Sequence, residues 1–254
     1  MRRLSPDSLF HFTSCLENIL GILKNTFYPR YCYEEFELID KPKERFISSA
    51  IPMVCFCDTP LSELMNHIEI YGKYGLGMKK EWGIRKGLNP VIYFNKNSDM
   101  AKDLNKTTIR LLKSRGSAAL KTFWNILVYL KPYEGVLYRG GSITREHVRF
   151  YDEHEWRYVP DRRVMNKNLI TVGLSGDMYQ QPEILADANK QLERDQTRLS
   201  FNADDIKYII IKEEREINEM IKKLRVIKGM RYNSDTIDRL ASRIITVKQI
   251  ESDF

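Results

Sequence analysis

Tyr151-Asp152-Glu153-His154-Glu155-Trp156-Arg157-Tyr158-Val159-Pro160 is the stretch on which the reading of this chain turns. Glu153, Glu155 and Arg157 alternate with the larger His154, Trp156 and Tyr158. That is the period-two pattern of a strand with two distinct faces. One face carries two carboxylates and a guanidinium in a row. Trp156 and Tyr158 fall on the other, toward a core. Like charges at that spacing raise each other's pKa, and an arginine lowers it again. Such a row is either a solvated edge strand blunted with charge or an active site.

Upstream of it, residues 133–138 and 149–159 are expected to pair around the Gly140-Gly141 turn. Farther out, Ile51-Pro52-Met53-Val54-Cys55-Phe56-Cys57 is the densest apolar run and reads as a buried strand, stopped by Asp58-Thr59-Pro60. Leu61, Leu64, Met65 and Ile68 then share a helical face. At the start of the chain, Leu9-Phe10-His11-Phe12-Thr13 reads as a short strand. A helix over 15–24 follows, with Leu16, Ile19, Leu20 and Leu23 at helical spacing. Residues 28–45 show little periodicity and read as an irregular excursion over a site.

Residues 90–94, 169–172, 208–211 and 244–247 read as strands. Residues 179–200, 213–223 and 235–244 read as helix-prone. Residues 97–129 predict two helices separated near Gly116. They carry Lys102, Lys106, Arg110, Lys113, Arg115 and Lys121 against two acids. The strict strand–helix alternation of a doubly wound sheet is absent. The expected fold is therefore α+β, one domain over 1–254 built round a mixed β-sheet. It has a basic helical insert at about 97–130 and a helix-rich C-terminal extension from about 175.

The chain has 254 residues, 43% hydrophobic and 30% charged, enough to bury a core. No run approaches about 18 apolar residues, so no membrane partner is expected. MRRLSPDSLF lacks a signal-peptide pattern, and a cytoplasmic location is expected. The four cysteines, Cys15, Cys32, Cys55 and Cys57, read as reduced thiols rather than a metal site with His11 or His67. The formal net charge of +7 suits a phosphate-bearing partner, and nucleic acid is the expected one.

No G-x-G-x-x-G, Walker A, G-x-S-x-G or H-E-x-x-H motif is present, which excludes the commonest dehydrogenases, NTPases, serine hydrolases and zinc proteases. What remains is His11 at a strand end, Thr13, Tyr71 and Tyr74 near it in sequence, and the carboxylates of the opening stretch. That set suits cleavage of an N-glycosidic bond to nicotinamide, with NAD as co-substrate and no metal. A carboxylate stabilises the oxocarbenium-like sugar and activates the acceptor. Glu155 is the expected carboxylate, with Glu153 as its alternative. His11 and Thr13 hold the ribose and amide, Tyr71 or Tyr74 stacks on nicotinamide, and Arg157 contacts the pyrophosphate or fixes the glutamate.

Leu9-Phe10-His11-Phe12-Thr13, followed by Asn18-Ile19-Leu20-Gly21-Ile22-Leu23-Lys24, resembles the opening of DNA-targeting ADP-ribosyltransferase toxins. The block Pro52–Ser62, then His67, Tyr71–Gly77 and Lys80-Glu81-Trp82, resembles the AbiGi family of abortive phage resistance proteins. Glu155-Trp156-Arg157-Tyr158 falls where that family carries an E-W-R-Y element. The likeness covers about residues 5–160. It implies an ADP-ribosyltransferase-like fold and an NAD-dependent transferase toxin in anti-phage defence. The acceptor would be nucleic acid more readily than protein, and a cognate antitoxin would be a partner. That family is customarily described as an antitoxin. The label implies the alternative: a non-catalytic antitoxin or nucleic-acid-binding module of a toxin–antitoxin system.

Overall fold

A computed structural model describes residues 5–40, 45–113, 118–229 and 232–253. The chain divides into two compact units interleaved along its length. The first comprises Met1–Tyr28, Cys55–Leu88 and Leu199–Phe254, the second Pro29–Val54 and Asn89–Arg198.

The first unit is built on the Ser8–Thr13 strand. It pairs antiparallel with Tyr74–Lys79, setting His11 opposite Leu76, and on its other side Phe10 lies opposite Cys57. Tyr74–Lys79 also pairs antiparallel with Ile206–Ile211, which in turn runs parallel to Ile244–Thr246. The sheet is therefore mixed, as expected. Apolar side chains close it on one cluster of Phe10, Leu64, Ile68, Ile210, Val247 and Ile250. A second cluster is aromatic. Phe27 lies 5.2 Å from Phe56 and 5.3 Å from Phe201, and Phe56 lies 5.7 Å from Trp82. Trp82 is wholly buried, and its indole N–H donates to the Ser200 carbonyl at 3.2 Å, which removes the cost of burying it.

The glycines after Tyr71 have a packing reason. Gly72 ends the Met65–Tyr71 helix at φ +113°, and a Cβ there would stand 2.3 Å from the Thr13 carbonyl oxygen. Gly75 and Gly77 leave the space that the rings of Phe12 and Phe10 occupy, each 2.8 Å from an added Cβ.

In the second unit, the stretch expected to be an irregular excursion departs from expectation, and its residues 41–44 lie outside the described residues. Arg30–Asp40 is a strand, paired antiparallel along Arg45–Cys57 with Tyr33 opposite Ala50 and Glu34 opposite Ser49. Tyr31 and Glu34 are both buried, so burial on both faces erases the alternation that marks a strand in sequence. Behind this hairpin lies a core of Tyr31, Ala50, Met165, Ile170, Leu174, Tyr179, Leu185 and Leu192. The Tyr31 hydroxyl donates to the Thr171 carbonyl, and burial pushes its pKa up to about 12.

Three further expectations are corrected here. The Gly140-Gly141 turn, with φ of 54° and 87°, joins Gly135–Arg139 to Ser142–Val148 rather than to residues 149–159. The opening stretch is not one continuous strand. Phe150–Glu153 is a 3-10 turn, His154 is left-handed at φ 43°, and only Glu155–Tyr158 is strand, with Arg157 opposite Asn89. Residues 169–172 form no strand, and the sheet contact is instead a single bridge from Leu174 to Ala50. The insert holds the helices Asp99–Lys113 and Ala118–Leu127. Gly116 and Arg115, between them, lie outside the described residues.

Candidate functional site

The opening stretch leads to a buried cluster of five ionisable side chains in the second unit: Glu34, Lys131, Glu153, Glu155 and Arg157. Each is under 10% exposed, and Arg157 is wholly buried. Arg157 Nε donates to Glu155 Oε1 at 2.6 Å, and its Nη2 donates to Glu155 Oε2 at 3.2 Å and Glu34 Oε1 at 2.5 Å. Its Nη1 donates to the Val128 carbonyl at 3.0 Å. Lys131 Nζ donates to Glu155 Oε2 at 2.6 Å and Glu153 Oε2 at 2.9 Å, and stands 4.4 Å above the Phe150 ring. The Glu155 amide donates to the Tyr93 hydroxyl at 2.8 Å.

The local backbone explains how two glutamates two residues apart reach one lysine. The 3-10 turn ends at Glu153, and the left-handed His154 turns the chain into the strand that begins at Glu155. Lys131 comes from the short Leu130–Pro132 strand, which runs parallel to Ile92–Phe94. Glu34 comes from the strand that was expected to be a loop.

Among the described residues, three carboxylates here meet two cations, so full ionisation of these five leaves one excess negative charge in a place shielded from water. Glu34 answers that imbalance. Burial raises its pKa, Arg157 and Lys131 pull it back, and Glu155 and Glu153 raise it again. The Tyr93 hydroxyl is also driven up, by burial and then by the Glu155 charge.

The structure divides the expected site residues. Glu153, Glu155 and Arg157 meet in the second unit, and Arg157 holds Glu155. His11, Thr13, Tyr71 and Tyr74 belong to the first unit. There, His11 Nδ1 lies 2.8 Å from the Cys55 carbonyl, so that nitrogen carries the proton and donates. The His11 ring packs edge-on to Phe27 at 5.2 Å. Thr13 Oγ1 accepts from Asn18 Nδ2 at 2.7 Å, and Tyr71 stacks on His67 at 6.1 Å. The Tyr74 hydroxyl donates to Glu216 Oε1 at 2.7 Å, and burial and that hydrogen bond raise its pKa. Trp156 and Tyr158 are half-buried.

Sequence reasoning missed Glu34 and Lys131. Lys131 carried a signal, a single charge between Leu130 and Pro132, whereas Glu34 is followed by Glu35 and Glu37 and stood out only by following Tyr31-Cys32-Tyr33. In the insert, Lys102 and Lys106 pair with Asp99 and Asp103 one turn earlier, at 2.8 and 3.2 Å. The thiol of Cys57 is buried and those of Cys15, Cys32 and Cys55 are half-buried, and none forms a disulfide. Among the described residues, no three or more His, Cys, Asp or Glu gather as a metal-binding set, and no helix is long and apolar enough to cross a membrane.

Comparison with known proteins gives a consistent answer. Residues 25–212 match the family model described as "Putative abortive phage resistance protein AbiGi, antitoxin". The match extends past residue 165, where the sequence shows no recognisable motif. The abortive phage resistance protein AbiGi of Lactococcus lactis subsp. cremoris is 30% identical over 254 residues, covering 90% of this chain and 99% of that protein. No solved structure matches. The likeness runs through both units and includes the segments that carry all five members of the buried cluster, and the chain belongs to the AbiGi family of abortive phage resistance proteins.

Proposed function

We propose that this chain serves abortive infection as an antitoxin, a binding protein that neutralises a cognate toxin, and that its buried carboxylates hold the fold instead of reacting. What carries this is the state of Glu155. A carboxylate that stabilises a developing sugar cation must present a lone pair to substrate. Glu155 is 4% exposed, with Oε1 engaged by Arg157 and Oε2 by both Lys131 and Arg157. Freeing it for NAD means breaking a buried ion pair, a loss of about 3–5 kcal/mol. At about 1.4 kcal/mol per decade, that costs roughly two to four decades of rate. His11 Nδ1 is likewise engaged by the Cys55 carbonyl. The family description as an antitoxin supports the same conclusion.

Two assays test it. In the first, the chain is expressed in bacteria from an inducible promoter, alone and together with each candidate toxin from its own source genome. The expected result is normal growth alone and rescue of growth with the toxin. In the second, purified chain and its Glu155→Gln variant are incubated with labelled NAD and total RNA, DNA or lysate, and no transfer is expected. Growth arrest by the chain alone, together with label transfer that Glu155→Gln abolishes, would overturn the proposal. The chain would then be an ADP-ribosyltransferase toxin. Among the described residues the variant leaves two carboxylates against two cations and should fold, so a negative result is informative.

A further inference from the structure

We infer that Leu169 is the anchor by which this chain seats itself in an apolar pocket of its toxin. The inference rests on the antitoxin reading. It starts from the Arg162–Lys167 helix, whose N-cap Asp161 accepts from the Arg163 amide. The helix closes with two hydrogen bonds, from the Ile170 amide to the Met165 carbonyl at 2.9 Å and from the Leu169 amide to the Asn166 carbonyl at 3.1 Å. This closure needs a left-handed residue, and position 169 supplies it at φ 58°. Glycine or asparagine usually stands there, because a Cβ crowds the following carbonyl. The apolar residue that normally follows is present: Ile170 is 3% exposed and lies in the core.

Leu169 itself contributes nothing to that core. It is 89% exposed. One position therefore bears two separate penalties, a strained backbone and a bare apolar side chain in water. Val226, 77% exposed, is different: it sits within the regular Ile217–Lys228 helix and carries no backbone penalty. Single exposed apolar residues are ordinary on a surface, but strain at the same residue is not.

The surroundings set the partner's chemistry. Lys167 is exposed beside Leu169, and Arg194 Nη1 reaches the loop to donate to the Asn168 carbonyl at 3.1 Å. Arg163 lies one turn back, paired with Asp161 at 2.8 Å. No acidic residue occurs between Asp161 and Leu169. An apolar tip in a basic collar fits a small apolar pocket rimmed by carboxylates on a protein partner.

The test exploits opposite effects on folding and binding. Leu169→Gly relieves the strain, so its thermal midpoint should equal or exceed that of the wild type by about 2–4 °C. Its affinity for purified toxin, measured by titration calorimetry, should fall at least about tenfold, and growth rescue should weaken. Leu169→Met, which keeps an apolar tip, should bind within about threefold of the wild type. Wild-type affinity in Leu169→Gly would overturn the anchor and leave the antitoxin reading standing. A wild-type chain that neither binds toxin nor rescues growth would remove that reading and the anchor with it. Self-association of the chain that Leu169→Gly abolishes would assign the tip to a second copy and also overturn the proposal.

Discussion

Replacing Arg157 by methionine should be the most damaging single change in the buried cluster, and replacing Glu34 by glutamine one of the mildest. Among the described residues, Arg157 makes four hydrogen bonds, two to Glu155, one to Glu34 and one to the Val128 carbonyl. Methionine fills much of the volume but leaves all four acceptors without that donor. Among the described residues, the charge imbalance also doubles, from three carboxylates against two cations to three against one. Removing one partner of a buried pair costs about 3–5 kcal/mol, and this removal takes the guanidinium from both Glu34 and Glu155, while Glu155 keeps Lys131. Glu34→Gln acts in the other direction. It keeps an acceptor 2.5 Å from Arg157 Nη2 and removes the excess negative charge, so the change in stability should stay within about 1 kcal/mol. Urea unfolding followed by circular dichroism reads both, through the midpoint at constant slope. Arg157→Met within about 1 kcal/mol of the wild type, or Glu34→Gln as damaging as Arg157→Met, would refute the account of the cluster as a net-negative, structure-bearing network.

The same cluster predicts a pH dependence. The folded pKa of Glu34 lies above its ordinary 4.5, so its contribution to stability is fully present below 4.5 and is lost as pH rises through the raised value. The difference in unfolding free energy between wild type and Glu34→Gln should therefore move against the wild type as pH rises across that window, and a flat difference would contradict it. Gly72→Ala combines a φ of +113° with a Cβ 2.3 Å from the Thr13 carbonyl oxygen. It should cost at least about 2 kcal/mol, seen as a fall in thermal midpoint of roughly 4–8 °C. Tyr31→Phe removes the hydroxyl that donates to the Thr171 carbonyl and leaves that acceptor unmet, which should cost about 1 kcal/mol in the same unfolding assay.

Some elements were legible because their signal is local. The helix over Leu16 to Leu23 carries the period that one buried face imposes, and the strands around His11, ending at Cys57 and at Ile206–Ile211 are short apolar runs bounded by polar residues. The Gly140-Gly141 turn was legible as a turn, but not its pairing, because two glycines permit a hairpin without choosing which flanking segment returns. The Arg30–Asp40 strand was hidden. Glu34 counts as polar in a pattern, yet it is buried by partners that lie 97, 119, 121 and 123 residues away, at Lys131, Glu153, Glu155 and Arg157. Leu169 was read as the start of a strand because isoleucine and valine follow it, whereas the helix closure before it decided its conformation.

The sequence by itself determined the mixed α+β class, the charge row at Glu153, Glu155 and Arg157, and, through its E-W-R-Y and Cys-Phe-Cys blocks, the likeness to the AbiGi family. Only the tertiary structure decided which groups the row meets. Whether a carboxylate reacts or merely supports depends on which groups fill its two oxygens and on how much water reaches it. Those are set by contacts across the fold, and neither is a property of residue spacing. Here Lys131 and Arg157 fill them and burial excludes the water.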